Sequence, residues 1–183
     1  MEQKNIIMDE SAVGRALTRI TYEILEHNRG AQELCLVGIL SRGAVIAGRI
    51  AERIRALEGT QVDCGVLDIT AYRDDVPAPE GLPDRTQIPF STRDRHVVLC
   101  DDVLYTGRTA RAAMDAVIRH GRPRSVQLAV LVDRGHREVP IRPDYVGKNL
   151  PTSRSETVRV SVREIDGEDK VSICLPEPSG GEE

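Results

Sequence analysis

The 183-residue chain is 40% hydrophobic and 30% charged, and its formal net charge is −4 at pH 7. This balance predicts one soluble globular domain that buries roughly 70% of its unfolded surface, and no run of about 18 apolar residues is present to span a membrane. The acidic average excludes a uniformly basic nucleic-acid-binding surface, although one basic face remains compatible with it.

A helix and a buried strand are the first predicted elements. Asp9 is placed to cap a helix over residues 10–28, in which apolar residues recur at spacings of three and four. Arg15 and Arg19 lie one turn apart on one stripe of this helix. An apolar run over residues 34–40 follows and predicts a strand.

The next segment predicts a second helix, a second strand and a long loop. The turn Ser41-Arg42-Gly43 leads into a helix over residues 44–57, and a strand over residues 62–70 comes next. The residues from Arg73 to Asp94 are rich in proline, aspartate and glycine and show no periodicity. A loop of this length is usually functional, although an ordinary insertion has the same composition.

Two further predicted strands end in polar residues. A strand over 97–100 runs into Asp101 and Asp102 and then into a turn that opens a helix, and a strand over 126–132 runs into another polar turn. Because apolar strands alternate with helices, we expect an α/β fold with a doubly wound, mainly parallel sheet and helices on both faces. In such sheets ligands bind beyond the carboxyl ends of the strands.

The segment after residue 140 loses this alternation. Short strand-like pieces at residues 157–164 and 171–175 predict a small C-terminal hood with an antiparallel flank. We therefore expect a single domain over residues 1–175 and a flexible tail over residues 176–183.

Cysteine usage and the first residues bear on the compartment. The four cysteines, at positions 35, 64, 100 and 174, form no Cys-x-x-Cys pair, and we interpret them as packed structural thiols. The first residues lack the charged-then-apolar order of a secretory signal. We expect a cytoplasmic protein without disulfides or a zinc site.

The turn over residues 106–109 contains the groups needed to hold a phosphate. Its backbone N–H groups and the positive end of the following helix attract anions, and its two threonine hydroxyls donate hydrogen bonds. Gly107 allows the backbone to approach a ligand closely. Asp101 and Asp102 are placed to accept hydrogen bonds from the vicinal hydroxyls of a sugar. An ordinary helix start after a strand is the alternative for the turn alone.

The string from Val97 to Thr109 resembles the phosphoribosyl pyrophosphate (PRPP) signature of type I phosphoribosyltransferases. It combines an apolar strand, two acids, a short spacer and Thr-Gly-x-Thr. Residues 126–155 narrow the resemblance to the PyrR family, as do residues 15–20 and the segment from Asp68 to Asp75. The resemblance spans nearly the whole chain and fades over residues 76–94.

This resemblance implies an enzyme that transfers ribose 5-phosphate from PRPP to uracil, giving UMP and pyrophosphate. Arg42 would bind the departing pyrophosphate, and Arg73 would begin a loop that closes over PRPP. Mg²⁺ would bind mainly through oxygens of PRPP and pyrophosphate rather than through a set of protein ligands. The resemblance assigns catalysis to Asp101, Asp102, Arg42 and Arg73, and PRPP or nucleotide binding to Ser41, Arg42, Gly43, Asp101, Asp102, Val103, Leu104, Tyr105, Thr106, Gly107, Arg108 and Thr109.

The resemblance also assigns the base site. Tyr145 would stack on the base and Val146 would offer backbone groups to the pyrimidine edge, with a core tyrosine as the alternative for Tyr145. Asp133 stands where purine-specific relatives often carry a lysine, which favours a pyrimidine. A purine or orotate phosphoribosyltransferase with the same turn remains an alternative.

A second role, in regulation, is implied by the same resemblance. The protein would form a homodimer, or a hexamer, and bind pyrimidine-operon leader RNA in response to UMP or UTP. Residues 134–154 include five basic and two acidic side chains, although a solvated face has the same composition. A regulator with a weakly active, nucleotide-sensing site is the alternative to a true enzyme. The residues expected to bind RNA are Arg15, Thr18, Arg19, His136, Arg137, Arg142 and Lys148.

Overall fold

The computed structural model describes residues 2–75, 81 and 83–175. The predicted tail over residues 176–183 and part of the long loop, residues 76–80 and 82, lie outside them. No helix in the described part of the chain is long and apolar enough to cross a membrane. In chain order the elements are β1 (Glu2–Met8), α1 (Glu10–His27), β2 (Leu34–Ile39), α2 (Arg42–Glu58), β3 (Asp63–Leu67), a 3-10 turn (Thr70–Tyr72), β4 (His96–Leu104), α3 (Arg108–Arg119), β5 (Ser125–Asp133), β6 (Tyr145–Asn149), β7 (Thr157–Ser161), α4 (Arg163–Asp166) and β8 (Lys170–Leu175).

A five-stranded parallel sheet in the order β3-β2-β4-β5-β6 forms the centre of the fold. Helices α1 and α2 pack on one face of this sheet through a core that includes Leu17, Ile50 and Leu36. Helix α3 packs on the other face against Leu99 and Val130. Because both faces are covered, the central strands are almost wholly apolar, and the predicted doubly wound α/β fold is confirmed.

The hood is a separate three-stranded antiparallel sheet in the order β1-β8-β7. Strands β7 and β8 confirm the predicted flank. The first strand, β1, was missed because its pairing partner β8 lies at the other end of the described chain. Strand β6 was also missed, because an edge strand that reads Tyr-Val-Gly-Lys-Asn has no continuous apolar run.

Two predicted strand ends differ from the structure. Strand β4 continues through Asp101 and Asp102 to Leu104, because β5 pairs with it along this whole stretch. Strand β3 ends at Leu67 rather than residue 70, since the Asp68 carboxylate accepts the Thr70 N–H at 3.0 Å and turns the chain.

Three of the four cysteines are buried in strands, as predicted. Cys35, Cys100 and Cys174 are buried strand residues with free thiols. Cys64 is exposed, so its interpretation as a packed thiol was wrong. It lies on β3, the edge strand of the central sheet, whose outer side is paired, among the described residues, only through an isolated bridge between Val66 and Gln87.

Candidate functional site

Two helices begin side by side at the carboxyl edge of the central sheet. Helix α2 follows β2 and α3 follows β4, and these two strands are neighbours. Neither N-cap residue, Ser41 or Gly107, gives its helix a side-chain hydrogen bond, and neither first turn has an acidic residue, whereas Asp9 caps α1 by accepting the Ala12 N–H at 2.8 Å. The edge therefore presents two positive helix ends that the chain leaves available for anions.

The turn before α3 is bent as the sequence predicts. Gly107 has a φ of +89°, and a Cβ there would lie 2.7 Å from Cγ2 of Val139. The Thr106 carbonyl accepts the Glu138 N–H at 2.8 Å, and the Thr106 hydroxyl accepts the Arg108 N–H at 3.3 Å. The segment that follows β5 thus supports the turn from behind, and only glycine fits at its apex.

Asp101 and Asp102 lie on β4 directly before this turn. The Asp101 carboxylate accepts the Asp102 N–H at 2.9 Å, and the Asp102 carboxylate accepts the Val103 N–H at 2.8 Å. Burial raises the pKa of Asp101 well above its ordinary value, and the neighbouring charge of Asp102 raises it further. The two carboxyl groups are therefore unequal, because Asp101 is the one that favours its protonated form.

The turn before α2 lies against the same strand. A Cβ on Gly43 would overlap the carbonyl oxygen of Cys100, so the first turn of α2 can approach β4 only with glycine there. The Leu40–Ser41 peptide bond is cis. Arg42 donates from Nε and Nη2 to the two oxygens of Asp166 at 3.1 and 2.7 Å. The structure thus brings the predicted turn at 41–43 next to the two aspartates.

A cavity of about 460 Å³ opens between this edge and the hood. Arg42 and Asp102 line its sheet side. In the described part of the chain, strand β7 is an edge strand paired with β8 alone, so its outer N–H and C=O groups have no sheet partner there. The hood residues that line the cavity are Thr157, Val158, Arg159, Val160, Glu168, Lys170, Ser172 and Cys174. Sequence reasoning identified the strand but not its place beside the cavity, because alternating apolar residues do not show which edge of a sheet faces a cavity.

The long loop begins beside the turn at 106–109. Arg73 pairs with Asp75, Nε to Oδ1 at 2.8 Å and Nη2 to Oδ2 at 2.6 Å. Asp74 accepts from Arg108, the first residue of α3, at 3.0 Å. The described start of the loop is therefore held against α3, while the catalytic role of Arg73 stays a prediction.

The prediction that Tyr145 stacks on the base was wrong. Its side chain is 3% exposed, packs in the core beneath α1, and donates its hydroxyl to Gln127 at 2.7 Å. Burial raises the pKa of Tyr145 to about 12. Tyr145 is the first residue of β6, so it lies four residues before the carboxyl end of that strand. The Val146 carbonyl is also occupied, since it accepts from Arg19 at 3.0 Å.

The residues predicted to bind RNA fall into two groups. Arg15, Arg19 and Lys148 line one groove between α1 and β6, and Thr18 lines an adjoining groove with the two arginines. The second group lies on the segment after β5. His136 packs edge-on against Tyr105, with 5.9 Å between ring centroids.

Arg137 is held by contacts within the chain, with its side chain 22% exposed, and its assignment to RNA stays a prediction. Its guanidinium donates to the carbonyls of Ile141 and Tyr105, each at 2.9 Å, and to the carboxylate of Asp133 at 2.5 Å. These bonds hold the segment that supports the turn at 106–109. Arg142, five residues further on, is exposed.

The fold is that of a type I phosphoribosyltransferase. The phosphoribosyl transferase domain family matches residues 4–164. Among solved structures, hypoxanthine phosphoribosyltransferase from Staphylococcus aureus superposes with a TM-score of 0.74 at 19% identity, covering 98% of this chain and 95% of that chain. The Trypanosoma cruzi hypoxanthine phosphoribosyltransferase gives a TM-score of 0.72 at 17% identity, covering 96% and 98%. At these identities the likeness shows the fold alone.

Relatives with similar sequences identify the family within the type I phosphoribosyltransferases. The bifunctional protein PyrR of Clostridioides difficile is 58% identical over 175 residues, covering 94% of this chain and 99% of the relative. That of Deinococcus radiodurans is 54% identical over 176 residues, covering 95% and 96%. The chain belongs to the PyrR family.

Proposed function

We propose that the chain is a uracil phosphoribosyltransferase that also controls pyrimidine genes in the cytoplasm by nucleotide-dependent binding of leader RNA. The observation that carries the enzymatic half is the pair of helix N-termini, without a side-chain hydrogen bond from either N-cap residue, on either side of Asp101 and Asp102. PRPP has two anionic ends joined by a ribose, and this edge of the sheet offers two anion sites separated by sugar-binding carboxyl groups.

The two turns divide the substrate between them. The turn at 106–109, the phosphate turn, binds the 5-phosphate through backbone N–H groups and threonine hydroxyls. The turn at 41–43 binds the pyrophosphate through backbone N–H groups and the guanidinium of Arg42. Asp101 and Asp102 hold the ribose hydroxyls between these two sites.

The transfer displaces pyrophosphate at the anomeric carbon. The C–O bond breaks and its electron pair leaves with the pyrophosphate, which produces an oxocarbenium-like sugar. The N1 atom of uracil bonds to the anomeric carbon and releases its N1–H proton to the pyrophosphate or to water. The protein stabilises the opposite charges that develop, with Arg42 on the departing anion and the Asp102 carboxylate near the sugar. A protein nucleophile is not required by this step.

Magnesium fits this site as a partner of the substrate. The described residues contain no group of three or more His, Cys, Asp or Glu side chains that could hold a metal. Asp101 and Asp102 are oxygen donors next to the proposed pyrophosphate site, and Mg²⁺ often binds through one or two carboxylates together with substrate phosphates. When bound, the ion neutralises charge on the pyrophosphate as it departs.

We assign the base to the edge of β7 rather than to Tyr145. Uracil presents two carbonyl acceptors and an N–H donor, which match the free N–H and C=O groups of an edge strand. Residues Thr157 to Val160 line the cavity beside Asp102 and offer those groups. This placement puts the base between the hood and the ribose site.

A base panel tests the enzymatic proposal. With PRPP and Mg²⁺, we expect kcat/KM for uracil to exceed that for orotate or hypoxanthine by about 10²-fold or more, because a site built for polar groups rejects bases that leave them unpaired. Product formation is measured by chromatography of the nucleotides. A preference for hypoxanthine or orotate would overturn the assignment to uracil without affecting the assigned fold.

The regulatory half rests on the groove lined by Arg15, Arg19 and Lys148. Three cations on one surface suit a phosphate backbone, and Thr18 adds a hydroxyl beside them. The chain has few aromatic residues for base stacking, so phosphate contacts carry most of the affinity. We propose that a homodimer, or a hexamer built from it, joins two such grooves.

Leader RNA titrations test this surface. We expect UMP to tighten binding, and we expect Arg15→Ala with Lys148→Ala to weaken it and to reduce the salt dependence, log K against log salt, by about 0.7–0.9 per cation removed. Arg93→Ala, at an exposed arginine before β4, is the matched control. If UMP leaves the affinity unchanged, nucleotide-linked regulation is wrong, because a ligand without differential affinity cannot shift an equilibrium.

A further inference from the structure

Two arginines of α2 fasten the hood to the central domain. Arg42 and Arg49 are seven residues apart, about two helical turns, and therefore lie on one face of the helix. Arg49 binds Glu164 and Asp169 at 2.6 and 2.7 Å. Arg42 binds Asp166, on the turn between those two acids. The hood segment 163–169 is thus held by two separate clusters of ion pairs.

The two arginines differ in what they have left to donate. The guanidinium of Arg49 is committed, since Nε, Nη1 and Nη2 all donate to Glu164 or Asp169. The guanidinium of Arg42 gives only Nε and Nη2 to Asp166. Among the described residues its Nη1 has no hydrogen-bond acceptor. Arg42 also lines the cavity beside Asp102, so its free donors are available there.

Asp166 is itself held in place. Its Oδ2 accepts the Val162 N–H at 2.9 Å as well as Nε of Arg42, and its side chain is 14% exposed. A carboxylate fixed in this way holds the planar guanidinium in one orientation through two parallel bonds. The rotamer freedom of Arg42 is then restricted before any ligand arrives.

We propose that Asp166 is a positioning residue for the leaving group. It grips one side of the Arg42 guanidinium so that the remaining N–H groups face the pyrophosphate of PRPP. The proposal rests on the transfer reaction proposed above. It also links the hood, which carries the proposed base site, to the turn that binds the pyrophosphate.

The test compares Asp166→Asn with Asp169→Asn. The first variant weakens the grip on Arg42 and retains an acceptor for the Val162 N–H, whereas the second weakens the Arg49 cluster and leaves Arg42 untouched. For Asp166→Asn we expect the KM for PRPP and the dissociation constant of Mg-pyrophosphate to rise about tenfold, with the KM for uracil unchanged. For Asp169→Asn we expect both quantities to stay within about twofold, although thermal stability falls.

A double-mutant cycle supplies the second readout. Once Arg42 is replaced by Gln, adding Asp166→Asn should have no further effect on Mg-pyrophosphate affinity, because the residue that Asp166 positions is gone. Additive losses in this cycle, or equal losses of pyrophosphate affinity in Asp166→Asn and Asp169→Asn, would overturn the proposal. Arg42→Lys, which cannot form the two-oxygen contact, should weaken pyrophosphate to a similar degree and serves if Asp166→Asn does not fold.

Failure of this proposal is distinguishable from failure of the proposed function. Pyrophosphate affinity is measured by calorimetry without any base, so it does not depend on whether uracil is the acceptor. An unmodified protein that makes no UMP counts against the proposed function alone. An unmodified protein that makes UMP, together with an unaffected Asp166→Asn variant, counts against the role of Asp166 alone.

Discussion

Replacing both Asp101 and Asp102 with asparagine is expected to lower kcat by about 10²-fold or more while the protein stays folded. The amides keep the size of the side chains, and their oxygens can still accept the Asp102 and Val103 N–H groups that the carboxylates accept. What they lose is the negative charge beside the sugar, where positive charge develops during transfer. Initial rates of UMP formation measure the loss of kcat, and a thermal melt shows whether the protein stays folded.

The single variants should be unequal. Burial raises the pKa of Asp101, so this residue favours the neutral form that asparagine imitates, whereas Asp102 lines the cavity. We therefore expect Asp102→Asn to account for most of the lost turnover. Near-normal turnover in the double variant would refute the role assigned to both residues, and a larger loss in Asp101→Asn would refute the division between them.

Asp101→Asn should raise the stability of the folded protein, in contrast to the lower turnover of the double variant. Its pKa is higher in the folded than in the unfolded protein, so the folded protein binds more protons and loses stability as pH rises from the unfolded pKa of about 4 through the raised folded value. Asp101→Asn removes this loss. At pH 7 the variant should be more stable than the unmodified protein, by about 1.4 kcal/mol for each unit by which the pKa of Asp101 is higher in the folded than in the unfolded protein. This gain in stability should disappear below about pH 4. Denaturant melts across this range measure it.

The parts of the fold that sequence predicts are those governed by local rules. Asp9 caps α1 as predicted, and the phosphate turn forms because Gly107 and the start of α3 are adjacent in the chain. The extent of β4 depends instead on pairing with β5, and β6 exists because β5 offers it an edge. Pairing between these strands cannot be deduced from a short window of sequence, because the paired residues lie far apart in the chain.

The difference between local and long-range contacts also explains which residues of the candidate site could be predicted from the sequence. Asp101 and Asp102 were predicted because they adjoin the turn, whereas the contact between Arg42 and Asp166 joins residues 124 positions apart. Tyr145 was misassigned because its strand was missed, and the orientation of a side chain cannot be deduced without the strand that carries it. The exposed edge of β7 could be identified only once the order of strands in the hood sheet was known.

The second large effect is expected at the apex of the phosphate turn. Gly107→Ala should lower kcat/KM for PRPP by about 10²-fold, because the added Cβ would meet Val139 at 2.7 Å and a φ of +89° is strained for alanine. Relief requires the turn to move, and a turn displaced by about 1 Å no longer directs its N–H groups at the phosphate. Steady-state rates at varied PRPP measure the loss.

Gly59→Ala is the matched control for backbone strain. Gly59 has a φ of +68° and caps the end of α2 remote from the site, and no atom of the described residues lies within 4 Å of a Cβ added there. This variant should lose about 1–2 kcal/mol of stability and keep its turnover. Combining Gly107→Ala with Val139→Ala removes the steric overlap but not the strain, so we expect partial recovery of activity. Equal activity losses in Gly59→Ala and Gly107→Ala would show that strain alone, and not the phosphate turn, is responsible.

Gly107→Ala also separates the two proposed roles. UMP and PRPP share the 5-phosphate, so a displaced turn should weaken both, while the groove of Arg15, Arg19 and Lys148 lies elsewhere and should bind RNA as before. Leader RNA affinity without UMP is therefore expected to stay unchanged, and its increase with UMP is expected to disappear at UMP concentrations that saturate the unmodified protein. Because the variant weakens UMP itself and leaves the coupling between the two sites intact, a higher UMP concentration should restore the tightening of RNA. A variant that lost transfer but kept the full effect of UMP on RNA would place the regulatory nucleotide outside this turn.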